Sequence, residues 1–397
     1  MKQKQAEITP LQLSVLAVSA AVCIANIYYS QPIIMTLASY FNVEGAVAGQ
    51  MPFYSQIGYG LGLLLIAPLG DKLSRKNLIV LLQALLIVTL LGVTVVKSVP
   101  ALFTLSFLIG FFSVATQVIM PFAAALAGSN KGKVVGTVFT GALVGILGAR
   151  TFSGFVANQW HWQLVYIISA ELLLLTSITI WFTLPSTKGT YTGRYFPLVI
   201  SSVKQIKIFS LLRKCTALSF LVFGAFCSFW TTLTFHLSNE FNYNSNQIGL
   251  FGILGIAGAM VAPFVGRLAD KRNPGKMQTL TISGVIVSIV IMWVFSHSLW
   301  AIIAGVILLD IAVQSTVVIN IAQIYSLDET AHSRINTIYM TLTFIGGAIG
   351  TMGGLYAWKW KMWDGVSIQM IGWTVLALVI SLLWNKKVQA ERRTSNQ

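Results

Sequence analysis

Ala67-Pro68-Leu69-Gly70-Asp71-Lys72-Leu73-Ser74-Arg75-Lys76 is a short, charged interruption between two long apolar runs. A second interruption opens the same way, Gly266-Arg267-Leu268-Ala269-Asp270-Lys271, and continues through basic residues to Lys276. Asp71 and Asp270 stand 199 positions apart, as do Lys72 and Lys271. Lys133 and Arg334 open later apolar runs at a spacing of 201, and Gly145 and Gly346 share that offset. A repeat on this scale, in the same orientation, is the residue of a duplicated helical unit.

The runs flanking these loops set the fold class. A helix needs about 20 apolar residues to cross a bilayer. Twelve runs qualify, near 12–38, 47–69, 78–96, 100–127, 134–157, 163–184, 215–237, 246–266, 278–295, 299–325, 335–357 and 366–385. Over 397 residues the chain is 56% hydrophobic and only 9% charged, with mean hydropathy +0.77. Soluble domains carry roughly 25% charged residues, and no water-soluble fold of this size hides so much apolar surface. The sequence therefore predicts an all-α membrane protein of twelve transmembrane helices in two pseudo-symmetric six-helix bundles, residues 1–184 and 213–397. Between them, 185–212 reads as a cytoplasmic basic linker holding Lys188, Arg194, Lys204 and Lys207 and no acid. Its stretch 197–209 mixes apolar positions with two of those lysines, a pattern that suits an interfacial helix.

The net charge of +15 would suggest nucleic acid if read alone. With the N-terminus inside, all basic residues but Lys97, Lys359, Lys361 and the intramembrane Arg150 fall on the cytoplasmic side. That asymmetry predicts a multi-pass protein of the cell (inner) membrane with both termini cytoplasmic, and no nucleic-acid partner. The first run is too long for the apolar core of a signal peptide. Cys23, Cys215 and Cys227 read as small packing residues within or at the ends of spans. The four histidines, His161, His236, His297 and His332, are scattered near span ends and form no metal set. No phosphate-binding loop occurs. The expectation is a non-enzyme with no cofactor, driven by a proton gradient and acting as a monomer on a small molecule.

Only Glu171 and Asp310, among eleven carboxylates, lie well inside spans. A charge at bilayer depth costs roughly 2.5–3.5 kcal/mol even on lenient scales, and low dielectric favours the neutral acid. Both are candidates for proton coupling. Asp310, Gln314 and Val317 fall along one helical stripe, with Asn320 a turn further on. Arg150 is read as the one cation within a span, a counter-charge for a substrate or for an acid. Further cavity candidates are Asn26 and Tyr29 beside Gln31-Pro32, Gln117 in the fourth run, Phe229 and Trp230 in the seventh, and Asn336 and Tyr339 in the eleventh. Helix packing is an alternative role for each of them.

The charged loop is similar to the signature G-x-x-x-D-[RK]-x-G-[RK]-[RK] of the major facilitator superfamily, which the chain resembles over essentially its full length. Asp71, Lys72, Arg75 and Lys76 match, and Ala67 and Ser74 replace the two glycines. The second copy keeps Gly266, Asp270 and Lys271. Within that family, 25–32 (Ala25-Asn26-Ile27-Tyr28-Tyr29-Ser30-Gln31-Pro32) and 309–314 resemble the twelve-span bacterial drug- and sugar-efflux proton antiporters. The fifth span departs from the antiporter pattern G-P-x-x-G-G, reading Ala149-Arg150-Thr151-Phe152-Ser153-Gly154. The resemblance implies a cavity lined by the first, fourth, seventh and tenth spans. It also implies a cytoplasmic gate in which Asp71, beside Arg75, approaches Arg334, and Asp270 approaches Lys133. The function implied is proton-coupled efflux of a small organic or amphipathic molecule by rocker-switch alternating access. Proton symport, facilitated uptake, a non-transporting receptor and a lipid flippase are the alternatives.

Overall fold

The computed structural model describes residues 8–395 apart from 129, 187, 188, 190, 259, 262, 263, 265–272, 329 and 330, with side chains to Lys387. Every regular element among the described residues is helical. Nine helical stretches among them are long and apolar enough to cross a membrane by length and composition, and one of these, 332–387, spans both the eleventh and twelfth runs. The two runs separate at Lys361 and Met362, whose backbone leaves the helix (Met362 at φ 47°). The first run gives the shorter apolar helix Pro10–Ala25, a turn, and Ile34–Phe41. The eighth gives Ser245–Leu254, and its end lies outside the described residues.

Polar capping and glycine place several of these ends. Thr9 caps Pro10–Ala25 in a reciprocal box with Gln12, satisfying amide hydrogens that the first turn leaves open. Ile34–Phe41 and Ser210–Phe241 both end on a left-handed asparagine, Asn42 and Asn242, each at φ 52°. Asparagine tolerates that conformation better than most residues. The pair Phe41-Asn42 and Phe241-Asn242 repeats at an offset of 200 and adds to the repeat marked by the aspartate loops.

By its internal contacts the chain divides into two compact units, residues 1–200 with 243–252, and 201–242 with 253–397. The boundary thus cuts the basic linker instead of leaving 185–212 apart. Tyr195, at the head of the helix Tyr195–Ile208, donates its hydroxyl to the Leu65 carbonyl and holds that end of the helix to the first unit. Burial pushes the Tyr195 phenol above its ordinary pKa. The start of the eighth run joins the first unit through the fifth span, where Thr151 Oγ1 donates to Gly249 O at 3.0 Å.

Each unit is knotted by a buried glutamine. In the first, Gln83 donates to Ser19 and accepts from Ser177 Oγ at 2.6 Å, joining the third, first and sixth spans. In the second, Gln278 donates to Asn320 and accepts from Lys214, joining the ninth, tenth and seventh. Glycine seams bring backbones into contact. A Cβ at Gly141 or Gly145 would lie 2.4 or 2.2 Å from the carbonyl of Ala17 or Ala21 on the first helix. A Cβ at Gly346 or Gly350 would lie 2.4 or 2.0 Å from that of Phe220 or Gly224 on the seventh. The outward faces carry exposed Val88, Val95, Phe182, Leu280, Val294 and Trp300, an apolar surface suited to lipid and unsuited to water.

Gly145→Val should therefore force the first and fifth spans apart, at a cost of about 1–3 kcal/mol. Gly148→Ala, where a Cβ meets nothing within 4 Å, should match or exceed the wild type. Melting of the detergent-solubilised proteins by size-exclusion fluorescence compares the two.

Candidate functional site

The first span stops being helical at Ala25 because its next residues offer the backbone other partners. Pro32 has no amide hydrogen to continue the ladder. Asn26 turns back, Nδ2 donating to Val22 O at 2.7 Å, while its Oδ1 accepts from Ser169 Oγ at 3.0 Å. Tight i→i+3 bonds follow, such as Tyr28 N to Ala25 O at 2.9 Å. The break presents Tyr28, Tyr29 and Gln31 to the interior of the first unit, all buried.

Arg150 meets that break. It is 4% exposed, its Nε donates to Gln31 Oε1 at 2.7 Å, and its guanidinium lies 5.0 Å from the centre of the Tyr28 ring. A planar, weakly hydrated cation suits such stacking, where lysine would not. Tyr29 continues the aromatic wall with Phe152 and, edge-on, Tyr166, at ring separations of 5.7 and 6.3 Å. The eighth run passes close over Arg150 because it has glycine there. A Cβ at Gly249 would stand 2.6 Å from Arg150 O, and one at Gly252 would stand 2.9 Å from Arg150 Cβ. Gln117 donates to Tyr59 Oη at 3.0 Å. The structure thus brings Asn26, Tyr29 and Arg150 together around the helix break, with Gln31 as the link.

In the second unit Asn320 is a hub. It accepts from Gln278, and its Nδ2 donates to Ser219 Oγ at 2.8 Å. Ser219 Oγ lies 2.6 Å from Tyr339 Oη. Asn320 and Tyr339 thereby join four helices, from the seventh, ninth, tenth and eleventh spans, and both are fully buried. Phe229 and Trp230 form a separate aromatic group whose rings sit edge-on at 5.6 Å, with Trp363 6.2 Å from Phe229. Asp310 is buried at 3% exposure in the helix Leu299–Tyr325. A Cβ at Gly258 would come within 2.8 Å of the Asp310 backbone and 3.1 Å of its Cβ, so the eighth run can pack here only as glycine. The stripe read from the sequence splits. Asp310 and Asn320 are ten residues apart, about 15 Å along the axis. Gln314 and Asn336 are partly buried and make no hydrogen bond among the described residues.

Two expectations change. Glu171 is exposed, on a stripe with Leu175, Ile178 and Phe182, while Ser169, Ala170 and Leu173 form the buried face of the same helix. It stands on the apolar outer surface of the first unit and lines none of the clusters described, so it gives no support to a coupling role. Arg150 is not the one cation inside a span. The helix of the seventh run begins at Ser210, which takes Lys214 within it, 4% exposed and hydrogen-bonded to Gln278. The apolar run starts at residue 215, so hydropathy alone left Lys214 outside by one position. Its placement on the same face as Leu218 was the available signal.

At the charged loop, Asp71 pairs with Arg75 at 3.2 Å, the two being one helical turn apart. Arg75 also donates to Gly70 O at 3.1 Å and to Pro121 O at 3.3 Å, tying the loop to the fourth span. Lys133 is exposed and Arg334 partly buried. Asp270 lies outside the described residues.

The sequence profile of the Major Facilitator Superfamily matches residues 16–351 and 219–397. The chain belongs to that superfamily. Superfamily relatives include the transporter YgaY of Escherichia coli O157:H7, 35% identical over 387 residues, 97% of each chain. A homologue of the multi-drug resistance efflux pump PmrA from Lactococcus lactis is 27% identical over 252 residues, 59% of this chain and 61% of that one. Among solved structures, the nucleoside transporter NupG superposes with a TM-score of 0.76 at 14% identity, covering 94% of this chain and 98% of that one. At that identity the likeness establishes the superfamily fold alone. The protein is thus a multi-pass membrane transporter.

Asn320→Leu should remove the bonds that Gln278 Nε2 and Ser219 Oγ make to Asn320 in the core of the second unit, leaving Ser219 only Tyr339 and Gln278 chiefly Lys214, at a cost of about 1–3 kcal/mol. Asp71→Asn removes a half-exposed pair of small worth and should leave the melting temperature near that of the wild type. Thermal melts of the two variants side by side check the contrast.

Proposed function

We propose that this superfamily member exports a small organic, amphipathic molecule in exchange for protons, by rocker-switch alternating access in the inner membrane with both termini cytoplasmic. The observation that carries the reading is Asp310, a residue buried midway along an apolar span whose backbone and Cβ pack against Gly258 of the eighth run. A group so placed is costly as an anion, and taking up a proton removes that cost. A site that must be loaded and unloaded with protons needs such a group.

Other features fit the same reading. Arg150 keeps its charge at any working pH, so it serves as an anchor for an anionic or π-rich portion of the cargo, and Gln31 and Tyr28 hold it in place. The aromatic pair Phe229–Trp230 offers the broad apolar surface an amphipathic molecule requires. A relative named as a multi-drug efflux pump homologue supports export over import. The pair Asp71–Arg75 is read as part of a cytoplasmic latch that exchanges partners during the cycle.

Purified protein in liposomes, with internal pH followed as compounds are added, tests the proposal. Compound-dependent proton movement is the expected result. Asp310→Asn should abolish uphill transport at least tenfold while sparing downhill exchange of the compound, and Asp71→Asn should slow both. Uphill transport that survives Asp310→Asn would sink the coupling role. Arg150→Lys should weaken cargo affinity, since lysine loses the planar stack and the Nε–Gln31 bond.

A further inference from the structure

A cavity of about 370 Å³ opens in the second unit where the seventh, ninth, tenth and twelfth spans end together. Its lining includes Lys214, Lys276, Gln323, Trp384 and Asn385 and no acidic side chain among the described residues. Of these, Lys214 is buried. The ammonium has three donors. Gln278 Oε1 takes one, and the ring of Trp384 lies 6.0 Å from Nζ. Among the described residues no carboxylate stands in ion-pair range of Lys214. A buried cation is stable only with compensating charge or a full set of acceptors, and an amide plus an indole face supply part of that.

The rest of the lining points to what completes it. Lys276 adds a second positive charge from the first turn of the helix Pro274–Val294, whose amide ends are capped by Asn273. Asn385 is fixed by its bonds to Gly275 O at 3.0 Å and Thr279 Oγ1 at 3.2 Å, so the wall is rigid there. Trp384 in the lining is the residue type found at headgroup level. The volume matches a compact polar group.

We propose that this cavity binds a phosphate-bearing anion between Lys214 and Lys276. The source is an anionic phospholipid headgroup or a soluble phosphate. Through Lys214 and Gln278 the anion is one step from Asn320, Ser219 and Tyr339, so its binding stiffens the four-helix network of this unit. The proposal stands apart from proton coupling at Asp310, because its readout is binding and stability and needs no transport.

Full-length protein in neutral detergent is titrated with phosphatidylglycerol, with phosphatidylcholine and with inorganic phosphate, and its melting temperature is followed. Stabilisation by phosphatidylglycerol but not by phosphatidylcholine or phosphate assigns the lipid source. Stabilisation by inorganic phosphate as well assigns the soluble one. Lys276→Gln, at an exposed position, should weaken the effective ligand at least fivefold, and Lys214→Gln should remove the shift. Lys97→Gln, an exposed lysine far along the chain, should behave as the wild type. No shift with any ligand, or equal shifts in wild type and Lys276→Gln, would overturn the proposal. The Lys276 arm keeps the test decisive if Lys214→Gln fails to fold.

Discussion

A carboxamide buried among apolar helices has to find its partners inside the protein, since neither lipid nor bulk water supplies them. Gln83 and Gln278 meet that requirement in the same manner. Each is the third-position span's contribution to its half, and each ties the opening span of that half to others, through Ser19 and Ser177 in one case and through Lys214 and Asn320 in the other. Apolar contacts give little preference for one helix neighbour over another where the surroundings are equally apolar. The amide knots supply the directional terms that fix which helices meet.

Small residues then set how closely they meet. The first and fifth spans, and the seventh and eleventh, approach until glycine Cα atoms rest on carbonyl groups across the seam. The approach is the same device used in both units, and it is compatible with helices that pivot or slide, since no interlocking side chain bars the motion. Candidate functional groups lie beside these seams and not on them. Arg150 follows the glycines of the fifth span by less than two turns, and Tyr339 precedes those of the eleventh by a similar distance. Fixed backbone contact next to a charged or hydrogen-bonding side chain is how a small helix shift becomes a change in that side chain's surroundings.

Much of the fold was legible because the bilayer imposes length and apolarity so strictly. The helix Lys131–Gln159 brackets the run 134–157, and Leu299–Tyr325 coincides with the run 299–325. The duplicated aspartate loop named the family before any comparison. Directions were less legible than positions. Glu171 belongs to no polar stripe in sequence, and the side of the helix on which it falls depends on packing that hydropathy does not encode. Lys214 illustrates the converse: a long aliphatic stem lets an ammonium enter an otherwise apolar helix end, so a window based on residue type closes one position too soon. The Asp71–Arg75 pair was hidden by its ordinariness, as two charges a turn apart commonly meet. The paired caps Asn42 and Asn242 were readable as a Phe-Asn repeat, and they show that a duplicated chain keeps backbone requirements where it has lost most side-chain identity.

The two membrane-embedded charges of the proposed mechanism are housed differently, and the difference follows from their chemistry. Arg150 cannot shed its charge, so the first unit gives it permanent acceptors: a broken helix that turns Gln31 and the Tyr28 ring toward it. Asp310 sits on an unbroken helix, with a glycine of the eighth run packed against its backbone. On the proposed reading its cost as an anion is relieved by a proton. On the same reading, a change in the charge of Asp310 would reach the eighth run through Gly258, which packs on its backbone and Cβ. The same run begins at Ser245, where its glycines close over Arg150 in the first unit. One segment of chain thus packs on Arg150 at Gly249 and Gly252 and on Asp310 at Gly258, and on the proposed reading it is the segment through which cargo and proton would be coupled.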